Sequence, residues 1–527
     1  MGLPSSYDEW AGNQNVAHST VSKLYDEAFG IMGFGGPTSD RRWTSTFVKA
    51  LAALGARASA GGPAIALVVP KGHVFDVELD VLDLPPNVHW AGGGRLVTNQ
   101  TGTGNNGAFV TGARAQGVVL DGIEFESPNN TVTAVRILSS SDIEIRGCRF
   151  YETTILGANN NDILYAHVDT SANGNVCRDI RVIGNYATRV QTDASPHAAI
   201  LPLYTVGGVI ANNRIVGHHQ GVQFWGGNAN PGANGVRANE RKCSDIAITG
   251  NVVTGSVEGG IWGSMGKRIT ITGNVVNGAG DVAIDFEGCT NCVASGNTVT
   301  GAQNHALTTF FQCDDIVFSG NTCTTTVMNG GMARVVNGSG MPDVRNVKFI
   351  GNTFDCLNGT GSVLIETSET VTFAGNDCRN VAIITRVNNQ FHTIIRDNTL
   401  FFDRVAVTAF QAMDLGFNNI HGRLFVQRNI VTSTVPQPAL SGAIHNDQFD
   451  DNNPALSIIE GNFIGPGFEY TIRNRWAGPG PGVNVAKALI RDNMFPVGSP
   501  PSFAESGVLP SIVEVEGNRY DDLTPWP

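Results

Sequence analysis

An all-β chain wound as a right-handed, single-stranded parallel β-helix of about 15 coils, with a short N-terminal capping helix, is the fold that this 527-residue sequence predicts. Three observations carry that expectation. First, Gly (64) and Asn (48) make up roughly a fifth of the chain, while 41% of residues are hydrophobic and only 15% are charged. Both residue types tolerate the left-handed backbone of tight turns, so short buried strands joined by many turns are expected rather than disorder. Second, a phrase of alternating apolar residues closed by Gly-Asn recurs, as in Ile246-Ala-Ile-Thr-Gly-Asn251, Ile269-Thr-Ile-Thr-Gly-Asn274, Ile316-Val-Phe-Ser-Gly-Asn321 and Val513-Glu-Val-Glu-Gly-Asn518. Its marker Asn stands at 185, 213, 251, 274, 297, 321, 352, 376, 398, 429, 462, 493 and 518, with shortest steps of 22 to 24 residues. A fixed minimum with variable excess is the signature of a solenoid whose insertions lie in surface loops, and equivalent Asn side chains can then hydrogen-bond up the stack. Third, Cys177, Cys243, Cys289 and Cys313 each precede their marker by eight residues, and Asp179, Asp245 and Asp315 follow two residues later, which aligns them along one edge.

The elements follow in order. Residues 1–35 hold Tyr7, Trp10 and a short amphipathic stretch, Val21–Phe29, too little for an independent domain, and read as an extension or attachment segment. In residues 36–60, Phe47, Leu51 and Leu54 fall at helical spacing, so Arg42–Leu54 is expected to be an amphipathic helix that closes the open end of the coils. Residues 61–495 carry the β-helix, with insertions expected outside the core at 226–241, 337–343 and 441–455. Residues 496–527 supply a last coil and a Pro-rich tail.

Composition excludes several classes. The net charge is −12, seven of the 34 basic residues are Lys, and there is no Lys/Arg run, so nucleic acid is not an expected partner. The longest apolar stretch contains Ala64–Val69, far short of the roughly 18 residues of a membrane span. The first 22 residues lack Lys and Arg and no apolar core follows them, so neither a membrane nor a signal peptide is expected. Nine cysteines, an odd number, read as buried thiols. Cys289-x-x-Cys292 with Cys313 and Cys323 lacks zinc spacing, and no metal and no cofactor is expected. Gly102-Thr-Gly-Asn-Asn-Gly107 reads as a surface turn, because no helical pattern follows it.

The order of Phe29-Gly, the Thr38-Ser-Asp40 turn, the helix and the Gly61-Gly to Val69-Pro-Lys-Gly72 strand resembles the opening of the pectate-lyase-like parallel β-helix proteins, which include bacteriophage tailspikes and glycan depolymerases. That resemblance implies a polysaccharide as partner, side-by-side homotrimers, a virion-tail or extracellular location, and contact of residues 1–35 with other tail proteins. Apolar residues expected on the outer face, Leu307, Leu364 and Ile384, fit burial against a neighbouring copy. More narrowly, Ile284-Asp-Phe-Glu-Gly-Cys-Thr-Asn-Cys292 is similar to one coil of the inulin fructotransferases, where an acidic residue of that strand is catalytic.

The same strand is where chemistry is expected. In Val282–Gly288, alternation turns Val282, Ile284 and Phe286 inward, and Asp285 and Glu287 outward. Two residues apart, their Cα atoms are separated by about 6.6 Å. This suits the roughly 6.5–9.5 Å carboxyl separation of inverting glycosidases better than the roughly 5–5.5 Å of retaining ones. One coil back the register adds Trp262 and Ser264, and one coil forward, through 24 residues, Thr309 and Phe311. Gln223 and Trp225 lie further back, and Arg334, Glu366 and Arg386 further forward. Rings stack on apolar sugar faces while two acids act as general acid and base, so this face reads as a polysaccharide site, with Asp285 and Glu287 catalytic and the others binding substrate. A lyase, with Arg334 or Arg386 as base, is the second chemistry. His218-His219 and His445-Asn-Asp447 read as loop polar groups, and Arg473, Arg475 and Trp476 as sugar contacts at the far end.

Three readings share this scaffold: a tailspike-like glycoside hydrolase that cleaves a bacterial surface polysaccharide, a secreted polysaccharide lyase or fructan-active enzyme, and a non-catalytic structural or adhesive β-helix of a virion. The acid pair alone separates the first from the last.

Overall fold

The structure, a computed structural model, describes residues 28–39, 42–60, 65–98, 107–127, 132–156, 176–190, 198–227, 229, 243–327, 330–336, 344–366, 369–388, 392–418, 423–448, 456–476, 487–497, 513–522 and 524–525. The chain forms two compact units, Met1–Gly227 with Arg241–Gly263, and Asn228–Glu240 with Ser264–Pro527. Each is a right-handed parallel β-helix in which successive coils place one strand in each of three parallel sheets.

In the first unit, the helix runs over Thr44–Ser59 and buries Phe47, Leu51 and Leu54 as their spacing predicts. Phe47 meets Phe75 and Trp90 with ring centroids 5.6 and 5.7 Å apart, so the helix seals the first coils with aromatic contacts. It extends five residues beyond Leu54. Gly55 lies against Pro85, where a Cβ would come within 3.2 Å, and the Ala-Arg-Ala-Ser that follows favours helix. Coils then stack in register, with Cys177 opposite Thr205 and Ile180, Gly208 and Ile246 aligned.

The second unit repeats a simple coil. Strand Thr290–Ser295 leads through Gly296 and Asn297 to Thr298–Thr300, then to His305–Phe310, and the next coil restarts at Asp314–Ser319. The recurring Gly-Asn is the turn between the first two sheets. Its Gly is left-handed, as at Gly296 (φ 62°), Gly320 (φ 61°) and Gly351 (φ 63°), and where Gly is absent Asp397, Arg428 and Asp492 take the same conformation. The Asn turns inward. From Asn274 through Asn297, Asn321, Asn352, Asn376, Asn398, Asn429, Asn462 and Asn493 to Asn518, the backbone N–H and the Nδ2–H of each donate to Oδ1 of the next at 2.9–3.1 Å. Asn185, Asn213 and Asn251 form the same ladder in the first unit. Each buried amide is thereby satisfied along the stack.

The core of the second unit is a set of rows. Ile284, Leu307, Ala333, Val363, Ile383, Met413, Ile444 and Ile472 align cross-strand and are fully buried or nearly so. Leu307 is therefore a core residue and not an outer one, because it pairs with Ile284. Phe318 stacks on Phe349 at 4.8 Å in a second row. The expected insertion at 441–455 is in part sheet, since Gly442–Gln448 is a strand between Gln411–Asn418 and Tyr470–Trp476. Residues 1–27, 102–106, 230–241 and 337–343, for which an attachment segment, a turn and two insertions are expected, lie outside the described residues, as do Asp40 and Gly61.

All nine cysteines are buried. Cys313 Sγ accepts from the Cys289 N–H at 3.2 Å, and burial pushes the Cys148 thiol up to about 12, so these thiols pack as small apolar groups. Asp179, Asp245 and Asp315, two residues beyond the aligned cysteines, are left-handed (φ 54°, 60° and 56°), which accounts for a small polar residue there.

Candidate functional site

Strand Val282–Glu287 holds the two acids in alternation with Ile284 and Phe286, which are fully buried. Outward rows run cross-strand from each. Asp285 stands opposite Thr308, and then come Arg334, Leu364, Ile384, Asp414, His445 and Arg473; Glu287 stands opposite Phe310, which is followed by Val336. The forward neighbours expected from the sequence are therefore one residue off. The step along this sheet is 23 residues, and the extra residue of the 24-residue interval sits in the turn Phe311–Cys313. Thr309 consequently faces the core opposite Phe286 and is fully buried. Phe311 occupies the turn with φ 60°, its ring 5.9 Å from that of Phe310.

Facing outward does not expose Asp285, of which only 4% is accessible. Its Oδ1 and the neighbouring Thr308 Oγ1 are buried and have no hydrogen-bond partner among the described residues. Burial, then the charges of Glu287 and Asp281, raise the Asp285 carboxyl well above the usual carboxylate range. Burial and then Asp281 push Glu287 up to about 7. Asp281, held by Asn304 Nδ2 at 2.9 Å, precedes the strand, so the alternation that marks Asp285 and Glu287 does not reach it.

Around the pair the structure adds further polar groups. His305, opposite Val282, is 8% exposed, and burial, with Arg334 reinforcing and Asp281 opposing, holds it down to about 4, so it is neutral at pH 7. Alternation assigns His305 to the core, and nothing in the sequence marks it otherwise. Arg334 donates Nε–H and Nη2–H to Glu366 Oε2 at 3.0 and 2.8 Å, and its guanidinium carbon lies 5.9 Å from the Phe310 ring centroid. Behind the Glu287 turn, Gln312 Nε2 donates to the Ala229 carbonyl at 2.8 Å, and a Cβ on Gly288 would come within 3.0 Å of Ala229 Cβ. Ser264, expected to face outward, is fully buried, and the Met265 N–H beside it donates to the Glu287 carbonyl at 2.8 Å.

The remaining expected site residues are placed as follows. Gln223, Trp225 and Trp262 belong to the first unit. Gln223 is buried, Trp225 is half-buried and bridges to Leu203, and the half-buried Trp262 indole lies over Gly259, where a Cβ would meet Cδ1 at 2.6 Å. Arg386 is opposite Gly416, but its side chain lies outside the described residues, as do those of Asp447, Arg475 and Trp476. His218 and His219 lie, as expected, in the connection between strands Arg214–Val216 and Gln220–Trp225, but they are buried there, at 0% and 4% exposure, and burial with Arg189 nearby holds His218 down to about 3. His445, also expected in a loop, is in the strand Gly442–Gln448.

What this arrangement can do follows from two buried carboxyls whose first ionisation suppresses the second. Burial favours the protonated form of Asp285, and Glu287, pushed up to about 7, gives up its proton around neutral pH, so the pair passes there through a state with one acid protonated and one ionised. That is the protonation state of a general acid beside a general base.

No protein family and no curated relative matches the sequence. Solved structures do match. They include the tailspike protein of E. coli bacteriophage HK620 in complex with pentasaccharide, 11% identical over 88% of this chain and 81% of that one with a TM-score of 0.49. Bacteriophage CBA120 tailspike protein 3 is 12% identical over 93% and 67%, with a TM-score of 0.44. A hyperthermoactive exopolygalacturonase from Thermotoga maritima is 11% identical over 71% and 95%, with a TM-score of 0.41. At these identities the likeness is one of fold alone.

Proposed function

We propose that the protein binds a polysaccharide along the outward rows of the second unit and hydrolyses it with inversion, Asp285 as general acid and Glu287 as general base. The observation that carries this reading is the acid pair on one strand, Asp285 buried and Glu287 half-buried, whose carboxyls are both raised above the usual carboxylate range. Phe310, opposite Glu287, supplies a ring face for a sugar, and the unpaired Asp285 Oδ1 and Thr308 Oγ1 supply polar atoms that gain a partner when substrate arrives. The lyase reading is weaker because Arg334 is doubly bonded to Glu366, and a guanidinium so held is a poor base. A bacterial surface glycan as substrate, a virion-tail or extracellular location, attachment through residues 1–35 and assembly as a homotrimer belong to the same proposal. Incubation with capsular, lipopolysaccharide and fructan substrates should release reducing ends of inverted configuration, read by NMR. Retained configuration contradicts the role given to Glu287, and no release from any substrate favours an adhesive protein.

A further inference from the structure

An Asn followed by Gly is open to attack on its own side chain, because glycine lacks the Cβ that would crowd the approach of its nitrogen to the side-chain amide carbon. Among the described residues the pair occurs twice, at Asn277-Gly278 and Asn358-Gly359, both in the second unit and both with the Asn exposed. Coil stacking treats the two differently. Asn277 ends strand Val275–Asn277 opposite Thr300, and the Gly278 N–H donates to the Thr300 carbonyl at 2.8 Å, so that nitrogen is a rung of the sheet. Asn358 lies instead in the turn between strands Thr353–Cys356 and Gly361–Ile365. The turn is pinned at both sides, by the Leu357 N–H to the Thr325 carbonyl and the Gly361 N–H to the Asn380 carbonyl, each at 2.8 Å. Between these pins the Gly359 N–H donates to no group among the described residues, and Gly359 takes a φ of 81°. The Asn358 carbonyl, in the same peptide unit, accepts from Cys356 Sγ at 3.3 Å, which draws electron density from that unit and makes its N–H more acidic.

We infer that Asn358-Gly359 is a self-modification site at which the folded protein deamidates, while the coil stack protects Asn277-Gly278. The Gly359 nitrogen, its proton lost to water, attacks Asn358 Cγ. A carbon–nitrogen bond forms to Gly359, the Cγ–Nδ2 bond breaks, and ammonia leaves. Solvent water then opens the cyclic imide at either carbonyl, giving aspartate or isoaspartate. Both products add a negative charge to the turn, and isoaspartate also reroutes the main chain through Cγ. At Asn277 the same attack first requires the Gly278 rung to open, and a backbone hydrogen bond within the stack opposes that opening. The inference does not depend on what the protein binds or cleaves.

Incubation of the full chain at pH 8, folded or unfolded in denaturant, followed by proteolysis and mass spectrometry, tests this. Conversion changes each peptide's mass by the difference between an amide and an acid, and chromatography separates isoaspartate from aspartate. In the unfolded chain the Asn277 and Asn358 peptides should convert at similar rates, since both are Asn-Gly and neither is held. Folding should leave Asn358 reactive and slow Asn277, so that in the folded chain Asn358 converts about tenfold or more faster, with isoaspartate among its products. Folded conversion of Asn358 no faster than that of Asn277, or conversion of Asn358 to aspartate alone, overturns the inference.

Discussion

Asp285 and Glu287 sit where a carboxylate is costly, and that cost has a measurable sign. Both bind a proton more tightly in the folded chain than in the unfolded one, so their contribution to stability is fully present below about pH 4.5 and is lost as pH rises through about 7 for Glu287. Glu287→Gln should therefore stabilise the protein at pH 8, by at most about 3 kcal/mol at about 1.4 kcal/mol for each tenfold gain in proton affinity on folding, and change little at pH 4. Asp285→Asn should act in the same direction. Unfolding curves at the two pH values check both, and a lower Tm at pH 8 contradicts the burial argument. That these acids face away from the core is legible from alternation alone. Their burial is not, because it arises from the stacking of coils, which a single strand's pattern does not describe. Thr309 and Phe311 are misplaced by the sequence for a related reason, since the interval between marker residues cannot say which turn of the coil holds the extra residue.

The coil itself is the most legible element, because the same turn is written in the sequence many times. Gly-Asn specifies a left-handed residue and then an inward amide, and both are found at Gly296-Asn297, Gly320-Asn321 and Gly351-Asn352 alike. Gly320 separates the two demands. A Cβ there would meet nothing within 4 Å, so only its φ of +61° opposes substitution. Gly320→Val should cost about 1–2 kcal/mol, the penalty for a left-handed L-residue, whereas Gly320→Asn should be nearly neutral. Chemical denaturation separates the two variants, and equal stability would place the requirement elsewhere. The helix is legible in its apolar spacing but not in its end, because the apolar spacing stops at Leu54 while Gly55, packed against Pro85, and the four residues after it stay helical.

At the scale of the whole molecule, the fold class follows from the repeat, while assembly rests on resemblance and on outward apolar residues. Leu307 leaves that set because its row is core, and the half-buried Leu364 and Ile384 remain. If copies associate as trimers, light scattering should give a mass near three chains of 55.7 kDa, and the mass of one chain contradicts the trimer. Function rests on less sequence than fold does, since one strand carries the acids. The most direct test is the turnover of Asp285→Asn and Glu287→Gln on whichever glycan the wild type cleaves. Both substitutions keep side-chain volume, and each should lower turnover by about two orders of magnitude or more while leaving glycan binding intact. Near wild-type turnover in both variants would contradict the account and move the chemistry away from strand Val282–Glu287.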